Sequence, residues 1–147
     1  MPTAGKLFGA IAFLLVGYFA ADALKDTLPE QMAPAGFSAI SGFLGLLIGW
    51  RVMGPHVQHG VLKTAATGVR ASFTLAVWGI FAFAVATMIV RSTERRYDGV
   101  MEAINGAFVF MLDYGRLLVS SQEALIVLLA GGIAGGLLSG WAEKRWH

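Results

Sequence analysis

Ala124-Leu125-Ile126-Val127-Leu128-Leu129-Ala130-Gly131-Gly132-Ile133-Ala134-Gly135-Gly136-Leu137-Leu138-Ser139-Gly140-Trp141 runs without a charged side chain. A helix of that length rises about 27 Å, and a bilayer span needs roughly 17–25 apolar residues. Lipid offers the backbone no hydrogen-bond partner, so a stretch of this kind is stable there only as a helix or in a closed barrel. The run is framed for a helix. Glu123 precedes it, where a carboxylate complements the helix dipole. Trp141, Lys144, Arg145, Trp146 and His147 follow it, and aromatic and basic residues concentrate at the membrane boundary.

Working backwards, three more runs have the same character. The first spans 7–24 and closes at Asp22, Lys25 and Asp26, with Pro29 and Pro34 beyond. It begins near a single lysine, and Ala21-Asp22-Ala23 resembles a signal-peptidase site, but the run is long enough to span and is read as an uncleaved helix. The second, 36–53, is uncharged until Arg51. Trp50 and Arg51 suit an interfacial anchor, with the ring at headgroup level and the guanidinium reaching outward. The third, 71–90, follows an amphipathic stretch in which Val57, Val61, Ala65 and Val69 recur every four residues. Gly54-Pro55 is expected to end the second helix, and one long helix is expected from about Pro55 to Ser92.

Between the third and last runs, Asp98, Glu102, Asn105, Asp113 and Arg116 fall on one helical stripe, broken by Val109. Charges at this spacing are costly in mid-bilayer, whereas the large apolar face suits a helix lying in the interface. An amphipathic helix over 98–119 is therefore expected, with Asp98 as its N-cap. A fifth, polar-lined span is the alternative. The fold class is thus an all-α membrane protein, a single domain of about four transmembrane helices plus one interfacial amphipathic helix.

Composition agrees. Of 147 residues, 56% are hydrophobic and 14% charged, against about a quarter charged in soluble domains. Mean hydropathy is +0.68. The net charge of +2 comes from scattered Lys and Arg, not the basic stripe that nucleic acid requires. Absence of cysteine excludes disulfides, thiolate chemistry and cysteine-ligated metal. Four spans with the N-terminus inside would put six basic residues in the cytoplasm and five outside, of 11 in all. That is almost no positive-inside bias.

Small residues recur at i, i+4 in two spans. Ser38/Gly42, Ser41/Gly45 and Gly45/Gly49 lie in the second; Gly131/Gly135, Gly132/Gly136 and Gly136/Gly140 lie in the last. This spacing lets helix backbones approach closely. Gly42, Gly45, Gly49, Gly131, Gly132, Gly135, Gly136 and Gly140 are read as a helix-packing interface, either within this chain or with a second subunit. Arg91, Arg95 and Arg96 close the third run and are the candidates for anion or lipid-headgroup contact. Trp50, Arg51, Trp141 and Trp146 are the interfacial anchors.

Other clusters carry less chemistry. His56 and His59 are two histidines at i, i+3, and two ligands do not make a metal site. Asp113 and Arg116 read as a pair facing water. No nucleophile triad or phosphate loop is present, and no metal or cofactor is expected.

The segments Gly49-Trp50-Arg51-Val52-Met53-Gly54 and Arg96-Tyr97-Asp98-Gly99 carry a family likeness. Met1-Pro2-Thr3-Ala4, Trp78-Gly79, Glu102-Ala103 and Arg145-Trp146 extend it over nearly the whole chain. The sequence resembles the TrgA family, small inner-membrane proteins of alphaproteobacteria linked with tellurite resistance. The resemblance implies a multi-pass protein of the bacterial cytoplasmic membrane and no catalytic residues. The expected function is non-catalytic, in tellurite or oxyanion tolerance. An accessory subunit of a respiratory or photosynthetic complex is the alternative, and a small channel or transporter the third. Membrane lipids are the expected partners, with other membrane subunits or self in addition, and no nucleic acid.

Overall fold

The computed structural model describes residues 4–30, 34–56, 60–94 and 98–146. They form α1 (Ala4–Lys25), α2 (Phe37–His56), α3 (Val61–Thr93), α4 (Val100–Ser120) and α5 (Gln122–Arg145), with no strand among the described residues. α1, α3 and α5 are long and apolar enough to cross a membrane, and α2 carries a shorter apolar run, Phe37–Met53. The protein is an all-α membrane protein.

α1 is the central strut. It packs antiparallel on α2, with Gly9 beside Gly49 and Gly17 beside Ser41. It packs antiparallel on α5 as well, with Val16 beside Gly131 and Phe13 beside Gly135. α3 lies along the other side of α5, where Gly68 meets Gly132 and Thr64 meets Gly136. Two buried clusters result. One, around Phe13, Val16, Met53, Ala71, Leu75 and Leu128, fills the middle. The other, around Leu24, Phe37, Phe83, Tyr114 and Ala124, closes one end.

The expected helix from Pro55 to Ser92 is not what forms. α2 continues through Gly54 and Pro55 to His56, and α3 starts only at Val61. The break is at Gly60, whose φ is +135°. Side chains rarely adopt that conformation, and glycine reaches it freely. The Gly60 carbonyl then accepts from the Thr64 amide (3.0 Å) and hydroxyl (2.8 Å), starting α3.

α3 has 33 residues, about 50 Å at 1.5 Å per residue. Its register against the others is set by contacts. Phe83 lies 4.3 Å from Phe37, ring to ring, at the start of α2. From Phe83 the helix runs ten residues further to Thr93, about 15 Å past that level. α4 packs antiparallel on this extension, Phe110 beside Arg91 and Tyr114 beside Thr87. The expected bounds of 98–119 differ from α4 by one or two residues. Its N-cap is Gly99, not Asp98. Asp98 sits one residue earlier, and its backbone N–H donates to Glu102 Oε2 (2.9 Å). The carboxylate at the third helical position reaches back, as in a capping box, so the extra donor is satisfied by Glu102.

α4 and α5 are joined by Ser121 alone, C-cap of one and N-cap of the other. Its amide donates to the Leu117 carbonyl (2.9 Å) and its hydroxyl accepts from the Ala124 amide (3.4 Å). α5 then continues along α3 in the direction α4 was taking, with Leu128 at Ser72 and Gly132 at Gly68. Ser121 is therefore a bend in one helical path, not a hairpin.

Candidate functional site

The eight glycines singled out from the sequence all meet other helices of this chain. Gly42, Gly45 and Gly49 face α1. Gly131 and Gly135 also face α1, while Gly132, Gly136 and Gly140 face α3. A methyl group at Gly45 would run into the Phe13 carbonyl, and one at Gly132 into the Ser72 hydroxyl. The close approach allows two buried hydroxyls to bond across helices. Ser72 donates to the Leu128 carbonyl and Ser139 to the Gly5 carbonyl, each at 2.7 Å. The partners of these glycines, Gly9 and Gly17 on α1 and Gly68 on α3, were missed in the sequence, as was Gly5, which faces Glu143 and accepts from Ser139. The signal was there: Gly5/Gly9 and Thr64/Gly68/Ser72 keep the same i, i+4 spacing.

The anchors gather at the end where α1 begins and α2 and α5 finish. Trp141 and Trp146 pack edge to face at 6.1 Å, Phe8 stacks on Trp146 at 5.4 Å, and the Arg145 guanidinium lies 5.3 Å from the Trp141 ring. Trp50 and Arg51 are exposed at the same end of α2. Between them Glu143 is partly buried, and its Oε2 has no hydrogen-bond partner. It lies over Gly5, where only a missing side chain leaves room.

The opposite end carries the candidate anion contact. Arg91 stands in the last turn of α3, where a cation complements the helix C-terminus. Its guanidinium lies 4.5 Å from the Phe110 ring centroid, a cation–π geometry. One turn back, Thr87 Oγ1 donates to the Phe83 carbonyl (2.8 Å) and lies 3.0 Å from the Tyr114 hydroxyl. Arg91, Thr87 and Tyr114 thus form a polar ladder down the α3–α4 seam. Arg95 and Arg96 lie outside the described residues, as do His59 and His147. On α4, Glu102, Asn105 and Arg116 are exposed and Asp113 is partly buried.

Below that ladder, between α1, α2 and the α3–α4 seam, the helices leave a cleft of about 60 Å³. Gly17, Ala20, Leu44, Leu75, Ile80 and Phe83 are among its walls, and Tyr114 and Ser41 bring the only hydroxyl-bearing side chains to its lining. A Cβ at Gly79, which also lines it, would meet nothing within 4 Å. Among the described residues no three of His, Asp and Glu gather closely enough to hold a metal ion.

The arrangement is one of packing, anchoring and charge placement: glycine seams inside, an aromatic belt at one end, a cation above an apolar cleft at the other. Comparison with family models, with characterised proteins and with solved structures finds no match.

Proposed function

We propose that this is a non-catalytic, four-pass protein of the bacterial cytoplasmic membrane, of the TrgA type, acting in tolerance to tellurite or a related oxyanion. The resemblance in sequence supplies the phenotype. The observation that carries the physical reading is Arg91, held by Phe110 at the end of α3, with Arg95 and Arg96 following it in sequence. Tellurite is an anion, and guanidinium groups at a water-facing helix end are where it would be met.

The test is growth under tellurite of a host lacking the protein, complemented by wild type or by the Arg95→Gln, Arg96→Gln double variant. The double variant is expected to lose protection at an unchanged membrane level. Full protection by that variant would overturn anion contact at Arg95 and Arg96, and full protection by Arg91→Gln would overturn it at Arg91.

The accessory-subunit reading draws its support from α4. Its outer residues Phe108 and Leu112 are 61% and 62% exposed, whereas the glycine faces are occupied within the chain. On that reading a gentle-detergent pull-down yields a stoichiometric larger partner, and Phe108→Gln releases it.

A further inference from the structure

The cleft beneath Arg91 is lined almost wholly by apolar side chains and suits hydrocarbon better than water. A buried water needs two to four polar partners. The lining offers the Ser41 hydroxyl and that of Tyr114, the latter 3.0 Å from Thr87 Oγ1. About 60 Å³, at roughly 10–15 Å³ per water-sized group, accommodates about four to six such groups. That is a short stretch of alkyl chain. Its depth fits too, since Leu24, Phe37 and Phe83, at the end of the apolar bundle, are among the lining residues. Arg91 stands two turns beyond Phe83 along α3, and its guanidinium is held against Phe110 on the same seam. A fixed cation above a dry apolar slot, about 12 Å apart along the helix, is the complement of an anionic amphiphile whose head and tail are separated by a comparable length.

We propose that the protein binds one anionic phospholipid, its headgroup phosphate at Arg91 and a stretch of one acyl chain in the cleft between α1, α2 and the α3–α4 seam. The inference rests on the membrane placement of the helices and shares Arg91 with the tellurite reading; lipid retention is measured without tellurite, so either can fail while the other stands.

The test is native mass spectrometry of the full chain released from bilayers of equal phosphatidylglycerol and phosphatidylcholine. Wild type is expected to retain one phosphatidylglycerol in preference to phosphatidylcholine. Arg91→Gln should lower that preference about tenfold, the loss of one charge-assisted hydrogen bond, and Arg91→Lys should keep it. Gly79→Leu fills the cleft from a position with open space around it, and should lower retention of both lipids. Three results would overturn the proposal: equal retention of the two lipids by wild type, an unchanged preference in Arg91→Gln, or unchanged retention in Gly79→Leu. Displacement of the lipid by inorganic phosphate alone would also overturn it, since it would mark a free-anion site. Circular dichroism and gel filtration matching wild type establish that each variant is folded.

Discussion

Ser139 on α5 donates its hydroxyl to the Gly5 carbonyl on α1 at 2.7 Å, joining residues 134 apart in sequence. Ser139 is fully buried, and the bond is reachable only because Gly5 and Gly9 carry no side chain at that crossing. Interhelical hydrogen bonds in membranes average about 0.6 kcal/mol and reach about 1.7. Ser139→Ala is therefore expected to cost on the order of 0.5–1.5 kcal/mol, and Ser139→Leu more, because no space surrounds the site. Reversible unfolding in mixed micelles measures both. A Leu variant as stable as wild type would contradict the packing at this crossing.

The glycine seams make a sharper prediction. A methyl at Gly45 or Gly68 would meet a backbone carbonyl of the facing helix, Phe13 in one case and Gly132 in the other. Backbone cannot rotate aside as a side chain can, so the helices must separate. Overpacking of this kind costs typically about 1–3 kcal/mol, occasionally more. At Gly115, on α4, a methyl meets nothing within 4 Å. There alanine is expected to be neutral or to stabilise by up to about 1 kcal/mol through helix propensity. The same unfolding assay on Gly45→Ala, Gly68→Ala and Gly115→Ala should order them accordingly, with only the first two destabilised.

Much of this architecture was legible in the sequence, and the reasons differ by element. The runs at 7–24 and 124–141 declared themselves, because lipid leaves an apolar segment of that length few alternatives to a helix. The glycine spacing in 38–49 and 131–140 signalled close approach, but not which helices would approach, since i, i+4 spacing marks a face and not its partner. Gly60 was passed over because a lone glycine in a periodic stretch is often tolerated; only its φ of +135° distinguishes it as a break. The length of α3 was largely legible, since a helix was expected over about 55–92 and α3 runs Val61–Thr93, but its register was hidden. Its apolar run, 71–90, ends where its charges begin, but its register is set by Ser72 at Leu128 and Phe83 at Phe37, contacts between residues far apart in sequence. Arg91 stood out in the sequence as a charge at a span end, while Phe110, Thr87 and Tyr114, which form the seam beneath it, look in sequence like ordinary lipid-facing residues.

Tyr114 tests how α4 is fastened to α3. Its ring is 2% exposed, and its hydroxyl lies 3.0 Å from Thr87 Oγ1, which is itself bonded to the Phe83 carbonyl. Tyr114→Phe leaves Thr87 satisfied, so the cost is that of one hydrogen bond, about 0.5–1.5 kcal/mol. Tyr114→Ala removes the ring as well and is expected to cost about 3–5 kcal/mol. The loss should be local: amide exchange in α4 should accelerate while the α1–α2 seam stays protected. Uniform acceleration in the alanine variant would mean that α4 unfolds with the bundle and not from it.

Gly60 predicts a backbone effect without a packing one. A Cβ there meets nothing within 4 Å, yet the residue holds φ +135°. Gly60→Ala is expected to cost about 1–3 kcal/mol from strain alone. The fluorescence emission of Trp78 should be unchanged, because the packing above the break is the same. A stability equal to wild type would mean that the turn adopts another conformation.

The register of α3 brings Arg70 into an unexpected place. Gly68 meets Gly132 and Ser72 bonds to Leu128, so Arg70, between them, stands beside the uncharged stretch of α5. Its side chain is exposed, toward lipid if α5 spans there. Arginine at that depth is tolerable because its long stem carries the guanidinium toward headgroups. From Val61 to Arg70 is nine residues, about 14 Å along the axis, so the side chain must cover much of the remaining distance. Lysine can do the same, and leucine has no charge to place. Aspartate has neither the length nor the apolar stem, and a charge near the bilayer centre costs about 2.5–3.5 kcal/mol on insertion scales. Arg70→Lys and Arg70→Leu are therefore expected to reach wild-type levels in the membrane fraction, with Arg70→Asp well below them. An aspartate variant that inserts as fully as wild type would mean that this part of α3 stands in water, and that α3 enters the bilayer only above Arg70.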